Sequence, residues 1–557
     1  MIPRTILFAT IVSVTLLTAN AQDGHQHRHE PEEKALTKLG RVNFHTSCSN
    51  KAQQQFNQAV AWLHSFEYEE SEKIFTRVSL LDPRCGMAYW GIAMSNFHPL
   101  WVPPTPAELQ KGSNAAAQAM RVGATTQRER DYISAINTFY KDADKVDHKT
   151  RTFAYSNAMR QVYENNPTDD EAAVFYALSL ITTGTMAPDK SYAKEKEAAE
   201  ILNRILARQP RHPGVAHYLI HGYDYPALAH LALPAARSYA AIAPASAHAQ
   251  HMPSHIFIRL GLWQQAIRSN LDAEAAAKAF AIRHRMPGAW DEQLHAMDYL
   301  AYAYLQSAQD KKAMGVLQDM NRLPQVDPPS FKVAYALSAI PARYALERRQ
   351  WSEAAKLPLD HPRMTTFPWA RFPWATAHIH FARAIGAVRL GDAAAARKAV
   401  DELASIQSSL REIRGGYDWA KQVDIERQVA SAWVKYAEGE QQEALQLMRA
   451  AADLDDATDK HPVTPGALLP AREQLGELLL ELKQPAAALE AFETALRSTP
   501  NRFNALYGAA RAATLSNNRP KAAGYYRKLV ELGRLADSVR PELTEAAAFL
   551  GKAGTSR

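Results

Sequence analysis

The sequence predicts an all-α solenoid of helical hairpins, and three observations carry that reading. Alanine-rich segments with helical periodicity fill the chain, while alternating β-branched runs joined by hairpin dipeptides are almost absent. A pattern of small residues, aromatics and prolines recurs, as Ala59, Trp62, Ser71, Phe75 and Pro83 early on and as Ala488, Phe492, Ala495 and Pro500 near the carboxyl end. Histidines repeat at a fixed distance: His217 and His251 are 34 residues apart, and so are His221 and His255. That distance is the period of the tetratricopeptide repeat, a helix–turn–helix unit whose copies stack on one another. A single unit cannot bury its apolar face, so the array is stabilised by contacts between neighbours.

From the amino terminus, residues 1–21 read as a secretory signal peptide. Arg4 supplies the positive end, Ile6 to Leu17 the apolar run, and Ala19-Asn20-Ala21 the small-residue cleavage site. The run is shorter than the roughly 20 apolar residues that a membrane span requires. Residues 22–50 follow as a histidine-rich segment expected to be disordered, with His25, His27 and His29 able to collect metal weakly. Residues 51–322 form a first repeat array. It is interrupted after Ala88-Tyr89-Trp90-Gly91 by the insertion His98-Pro99-Leu100-Trp101-Val102-Pro103-Pro104. Leu260-Gly261-Leu262-Trp263 is a strong inter-helix turn, and Gln309 to Ala313, Gln350 to Ala354 and Leu390 to Asp392 repeat it less perfectly. Residues 323–374 are an irregular connection rich in proline and tryptophan, and residues 375–551 form a second array. Breaks are expected near 184–190, 284–291, 323–330, 357–374 and 455–470. Whether the arrays make one superhelix or two stays open at this level.

Composition narrows the function classes. With 557 residues and 47% hydrophobic content, the chain can bury more than one compact globule would hold. The net charge of +6 is spread among interspersed acids and bases. A nucleic-acid surface needs clustered basic residues, so nucleic acid is not an expected partner, and no membrane span is expected. The reading is a periplasmic or secreted protein. Two cysteines in that setting, Cys48 and Cys85, each just ahead of a first helix, are expected to form a disulfide.

The chemistry lies in histidines and carboxylates on successive first helices. Taking the Leu260–Trp263 turn as the register, His248, His251 and His255 fall at repeat positions 2, 5 and 9. His217, His221 and Asp224 fall at 5, 9 and 12, and His295, Asp298 and Tyr302 at 2, 5 and 9. These positions face the concave groove of a tetratricopeptide array. Residues spaced this way span about 60° of a helix, and helices packed 8–10 Å apart let side chains from two of them reach one ion. Candidate metal ligands are therefore His217, His221, Asp224, His248, His251, His255, His295 and Asp298, enough for one metal with outer partners or for two. His217 and His221 have the i, i+4 spacing of zinc-binding helices but lack the glutamate that serves there as general base. Pro253 removes a helical hydrogen bond, so that the helix kinks or begins there. His98, Arg259 and Tyr302 are further candidates to touch a ligand or support the site. Imidazole donors suit zinc, copper, iron and nickel alike. A phosphate-cradling glycine loop, a nucleophile elbow and a spacing that suggests a Ser–His–Asp triad are all absent from the sequence.

Four blocks carry a resemblance. They are Cys85-Gly86-Met87-Ala88-Tyr89-Trp90-Gly91, His217 to Asp224, His248 to Phe257, and Lys460 to Gly466 with Pro470-Ala471-Arg472-Glu473. With these the chain resembles a family of exported bacterial tetratricopeptide-repeat proteins of largely unknown function. The resemblance implies a solenoid with a shared histidine site and supplies no substrate. The family pattern carries a second acid after the Asp224 position; Tyr225 stands there in this chain, so one potential ligand is missing. The leading expectation is a binding protein whose groove holds a peptide or protein segment, or a small ligand, together with a transition metal. The rival is a metal-dependent hydrolase or oxidoreductase in the same groove, and the third reading is a metal-free interaction scaffold.

Overall fold

The computed structural model describes residues 38–100, 103–412 and 416–554. The signal peptide and the histidine tract fall outside the described residues. The regular structure of those described is almost entirely helical; two short parallel strands, Ala289–Trp290 and Val326–Asp327, pair with each other. Residues 38–49, which the sequence places in the disordered segment, are packed instead. Phe44 is fully buried against Phe56, Trp90 and Tyr132, and Arg41 N donates to the Arg211 carbonyl. Buried Leu39 and Val42, the Ser47 N donation to Glu129 Oε1 at 2.6 Å and the Thr46 N donation to Gln53 Oε1 at 2.8 Å hold the segment together with that ring.

Helices follow one another as antiparallel hairpins, each packed on its sequence neighbours, which makes the chain an all-α tetratricopeptide-repeat-like solenoid. First helices also stack on first helices: Asp291–Gln306 on Phe331–Glu347, that on Pro373–Arg389, and that on Trp419–Ala437. Breaks between α-helices occur near the expected positions, at 187–192, 284–290, 323–330, 355–372 and 458–470.

The solenoid curls until distant parts meet. Helix Asn50–His64 packs against helix Pro213–Gly222. The Leu260–Leu262 turn docks on the carboxyl-terminal array, where Trp263 Nε1 donates to the Asn501 carbonyl at 2.8 Å. Gly261 has φ +64°, and a Cβ on it would meet the Pro500 carbonyl at 2.2 Å, so only glycine fits this contact. Farther on, buried Arg502 pairs with Glu347 and Glu473 at 2.7 and 2.9 Å, and its Nη1 donates to Tyr302 Oη at 2.9 Å. These groups hold one another, because an unpaired charge at such depth is strongly destabilising. Residues of the two arrays are thus in direct contact. Cys48 and Cys85 are joined in a disulfide with Cα atoms 5.0 Å apart, which ties the first helix of the first hairpin to the first helix of the second. No helix among the described residues is long and apolar enough to cross a membrane.

Candidate metal centre

Local sequence sets the site helices. Pro213 occupies the first turn of helix Pro213–Gly222, and the His212 ring caps it by accepting from Val215 N. Ser246 caps the short helix Ala247–His251 through Ala249 N, and its own hydroxyl donates to Glu67. At Pro253 the helix restarts as Pro253–Arg259, with Met252 still right-handed helical. The break is therefore a kink, and His251 and His255 remain on one face.

The structure sorts six histidines into two trios. His217, His221 and His248 form one, His251, His255 and His295 the other, with the candidate ligand atoms of each trio within 4.8 Å of one another. Both repeat one plan: an i, i+4 pair on one first helix and a single histidine from the next. The Ala247–His251 helix serves both trios, through His248 and His251, which are on the order of 5 Å apart along its axis. In the first trio, His217 Nε2 is 3.0 Å from His221 Nε2 and 3.1 Å from His248 Nε2. In the second, His251 Nε2 and His255 Nε2 are 3.1 Å apart.

Hydrogen bonds to the far ring nitrogens fix the tautomers. His217 Nδ1 donates to the His64 carbonyl at 2.6 Å. His251 Nδ1 donates to Asn270 Oδ1 at 2.6 Å, an oxygen identified because Asn270 Nδ2 donates to the Ala266 carbonyl. His255 Nδ1 donates to Asp224 Oδ2 at 3.1 Å. Each Nε2 of these three is then a lone pair. The Tyr299 hydroxyl lies 3.3 Å from His255 Nε2, yet it donates to the Val463 carbonyl at 3.0 Å. His251 and His255 consequently aim two lone pairs at each other.

A proton on one of them would relieve this, but the surroundings resist it. Burial lowers the pKa of His255; Asp224 opposes that, while Lys460 and Arg259 add to it. Burial pushes His217 down to about 3, and burial with neighbouring imidazoles holds His221, His248, His251 and His295 well below the ordinary value. The six rings are neutral at pH 7, which is the metal-binding form. A metal about 2.0–2.1 Å from each nitrogen accommodates the facing lone pairs of His251 and His255 at their 3.1 Å spacing.

The two candidate aspartates are not among the convergent donors. Asp224 supports: burial would raise its carboxyl, but Lys460 at 3.2 Å, Arg259 at 2.8 Å and His255 outweigh that and hold it far below the carboxylate range. Asp298 is buried against Arg343 at 2.7 Å, and burial pushes its carboxyl up to about 6 despite that partner. Tyr302 faces Arg502 and Arg343. His98 stacks on Tyr68, which stacks on Phe66, and the Phe66 ring lies against all three rings of the first trio. Tyr68 and His98 border an open cleft of about 1130 Å³, counting its mouth. The trios lie deeper than a groove wall implies. His217, His251, His255 and His295 are buried, and His221 and His248 are half-buried, because Phe66, Tyr239, Tyr299 and the 460–466 segment close over them.

A third cluster is absent from the sequence reading. Glu171 bridges His64 Nε2 and His212 Nε2, each at 2.9 Å, while His64 Nδ1 meets Tyr218 Oη at 2.9 Å. Gly214 makes room for it, since a Cβ there would come within 2.6 Å of His64 Nδ1. Here every ring nitrogen has a protein partner. His212, directly before a first-turn proline, carried the only sequence signal for this cluster.

No protein-family model and no curated protein matches the sequence. Among solved structures, the chain is similar to a tetratricopeptide repeat protein from Parabacteroides merdae, with 10% identity, 54% of this chain and 98% of that chain covered, and TM-score 0.30. It is also similar to the P58(IPK) TPR domain, with 14% identity, 69% and 99% covered, and TM-score 0.21. A third similarity is to human IFIT1, solved as a dimer with PPP-AAAA, with 12% identity, 86% and 90% covered, and TM-score 0.35.

Proposed function

We propose that this chain is an exported transition-metal protein whose two adjacent trihistidine sites hold two ions and present them to a small ligand. The observation that carries the reading is the pair of facing lone pairs on His251 and His255, each fixed by a hydrogen bond on the other side of its ring. Such support is what metal-bound imidazoles receive in general. An all-imidazole donor set favours zinc, copper, iron or nickel over magnesium or calcium. The ligand set is neutral, so each ion keeps its charge and prefers an anionic or electron-rich partner. Three protein ligands per ion leave a position open, as in catalytic rather than structural sites. The disulfide fits an oxidising compartment outside the cytoplasm.

A metal-dependent enzyme in the same site is the second reading, favoured by the open positions and by Tyr299 beside His255. There the ion would activate bound water or dioxygen, and Asp224 would keep His255 oriented. A peptide or protein segment entering the open cleft beside Tyr68 and His98 would be the partner of a pure binding protein.

The test is reconstitution with each candidate metal followed by elemental analysis. Two ions per chain are expected, with azide displacing a water ligand, and His217→Ala and His251→Ala should each remove one ion. Absence of stoichiometric metal under all four loadings would end this reading and leave the interaction scaffold.

A further inference from the structure

Away from the histidine wall, another cavity joins aromatic walls to a carboxyl oxygen without a hydrogen-bond partner. Helices Phe331–Glu347, Pro373–Arg389 and Trp419–Ala437 and the 460–466 segment border a small cavity of about 20 Å³. Half-buried Tyr417, Trp419 and His461 line the mouth, and buried Tyr335, His378 and Glu426 line the interior. The rings are held in place: Trp419 stacks on Trp374 at 4.2 Å, and His461 stacks on Phe331 at 4.4 Å.

One carboxyl oxygen in the interior lacks a protein partner. Glu426 is 6% exposed, and its Oε2 has no hydrogen-bond partner. Its Oε1 is 3.7 Å from His378 Nε2, too far for a hydrogen bond. His378 Nδ1 donates to Ser338 Oγ at 3.0 Å, because the serine proton already goes to the carbonyl of Ala334 or Tyr335. His378 Nε2 is therefore a lone pair, and a carboxyl oxygen and an imidazole acceptor face the same space. Lys460 borders the cavity, but its Nζ is directed to Asp224 and to the Pro462 carbonyl. Burial and the charge of Asp455 push Glu426 up to about 8, so the group is the neutral acid at pH 7 and becomes a carboxylate there only when a cation pairs with it.

We propose that this cavity binds a compact organic ammonium group of the methylammonium class. Its N–H groups would donate to Glu426 and His378, and its carbon would lie against the faces of Trp419, Tyr417 and Tyr335. Aromatic faces attract cations most strongly where water is excluded, and a buried carboxylate is stable only when paired.

The probe is methylammonium chloride titrated into the full-length protein, followed by calorimetry, with potassium chloride at equal ionic strength as control. Saturable one-to-one binding is expected, weakened at least tenfold by Glu426→Gln and by Trp419→Leu and unchanged by His251→Ala. Glu426→Gln is isosteric and Trp419 sits at the mouth, so unaltered thermal melts would show that both variants fold. Wild-type binding that never saturates, full affinity in Glu426→Gln, or equal binding of potassium would each overturn the proposal.

Discussion

Two kinds of histidine cluster lie side by side in this molecule, and their difference is one of proton accounting. In the Glu171 cluster two imidazoles meet one carboxylate, so donors and acceptors match and the group closes on itself. In the His251 trio the carboxylate and the amide sit behind the rings and take their protons away from the centre, leaving lone pairs in front. Both are groups of three buried side chains with ligand-like spacing. Proximity alone does not separate them; the direction of each N–H does.

The largest expected effect is on the closed cluster. Glu171→Ala leaves two buried imidazoles without their shared acceptor and should cost about 3–5 kcal/mol, as breaking a buried pair does, measured by denaturant unfolding. Metal at the second trio should be retained; its loss in a variant that still folds would show that the two clusters are one site. Removing metal from the wild-type protein comes next. An ion present at about 1,000 times its dissociation constant contributes ~4 kcal/mol, so a chelator should lower the unfolding midpoint by that equivalent, and readdition should restore it. An unchanged midpoint would put the trios in the same class as the closed cluster.

Asp224→Asn should be milder. It keeps an acceptor for His255 Nδ1 while removing the charge, and loss of such a support typically costs 10–100-fold in metal affinity. Competition with a chromophoric chelator would read it; an unaltered affinity would exclude Asp224 from the site.

The pH windows also differ. The trio imidazoles have folded pKa values below the ordinary 6.5, with His217 at about 3. Between those values the unfolded chain binds more protons than the folded one. Stability of the metal-free protein is therefore lost as pH falls from 6.5 toward 3. Glu171 behaves as a depressed carboxylate: burial would raise it, but His212 and His64 outweigh burial and hold it below 4.5. Its contribution is lost only as pH falls below 4.5, while His64 beside it, lowered by burial, adds to the loss in the upper window. A Glu171→Gln variant should keep the loss between 6.5 and 4.5 and blunt the part below. Loss of the upper window in that variant would contradict the division of labour.

Much of the fold was legible because repeat architecture writes itself into local periodicity. Small residues, turn glycines and prolines marked the hairpins and most breaks. The closure of the solenoid was not legible: Arg502 finds Glu347 and Glu473, and the Gly261 turn finds Pro500, across separations that no local pattern records. At the site, the 34-residue offset brought out the two i, i+4 pairs, and the helical faces brought in His248 and His295. The division into trios could not be read, since His248 and His251 sit three residues apart on one helix and turn to different partners. Asp298 was assigned by face, whereas Arg343, 45 residues farther on, claims it. Asn270, Tyr299 and Lys460 stayed hidden because their roles depend on helix packing. So did the Glu171 cluster, whose members are spaced 107 and 41 residues apart.

The most direct measurement is an anomalous-difference map from crystals of metal-loaded protein. Two peaks per chain are predicted, one at each trio, each about 2 Å from the convergent ring nitrogens, with Asp298 outside both coordination shells. A map with no peak between His251 and His255 at stoichiometric metal excess would mean that a proton, not a metal, reconciles their lone pairs, and the central claim would fall.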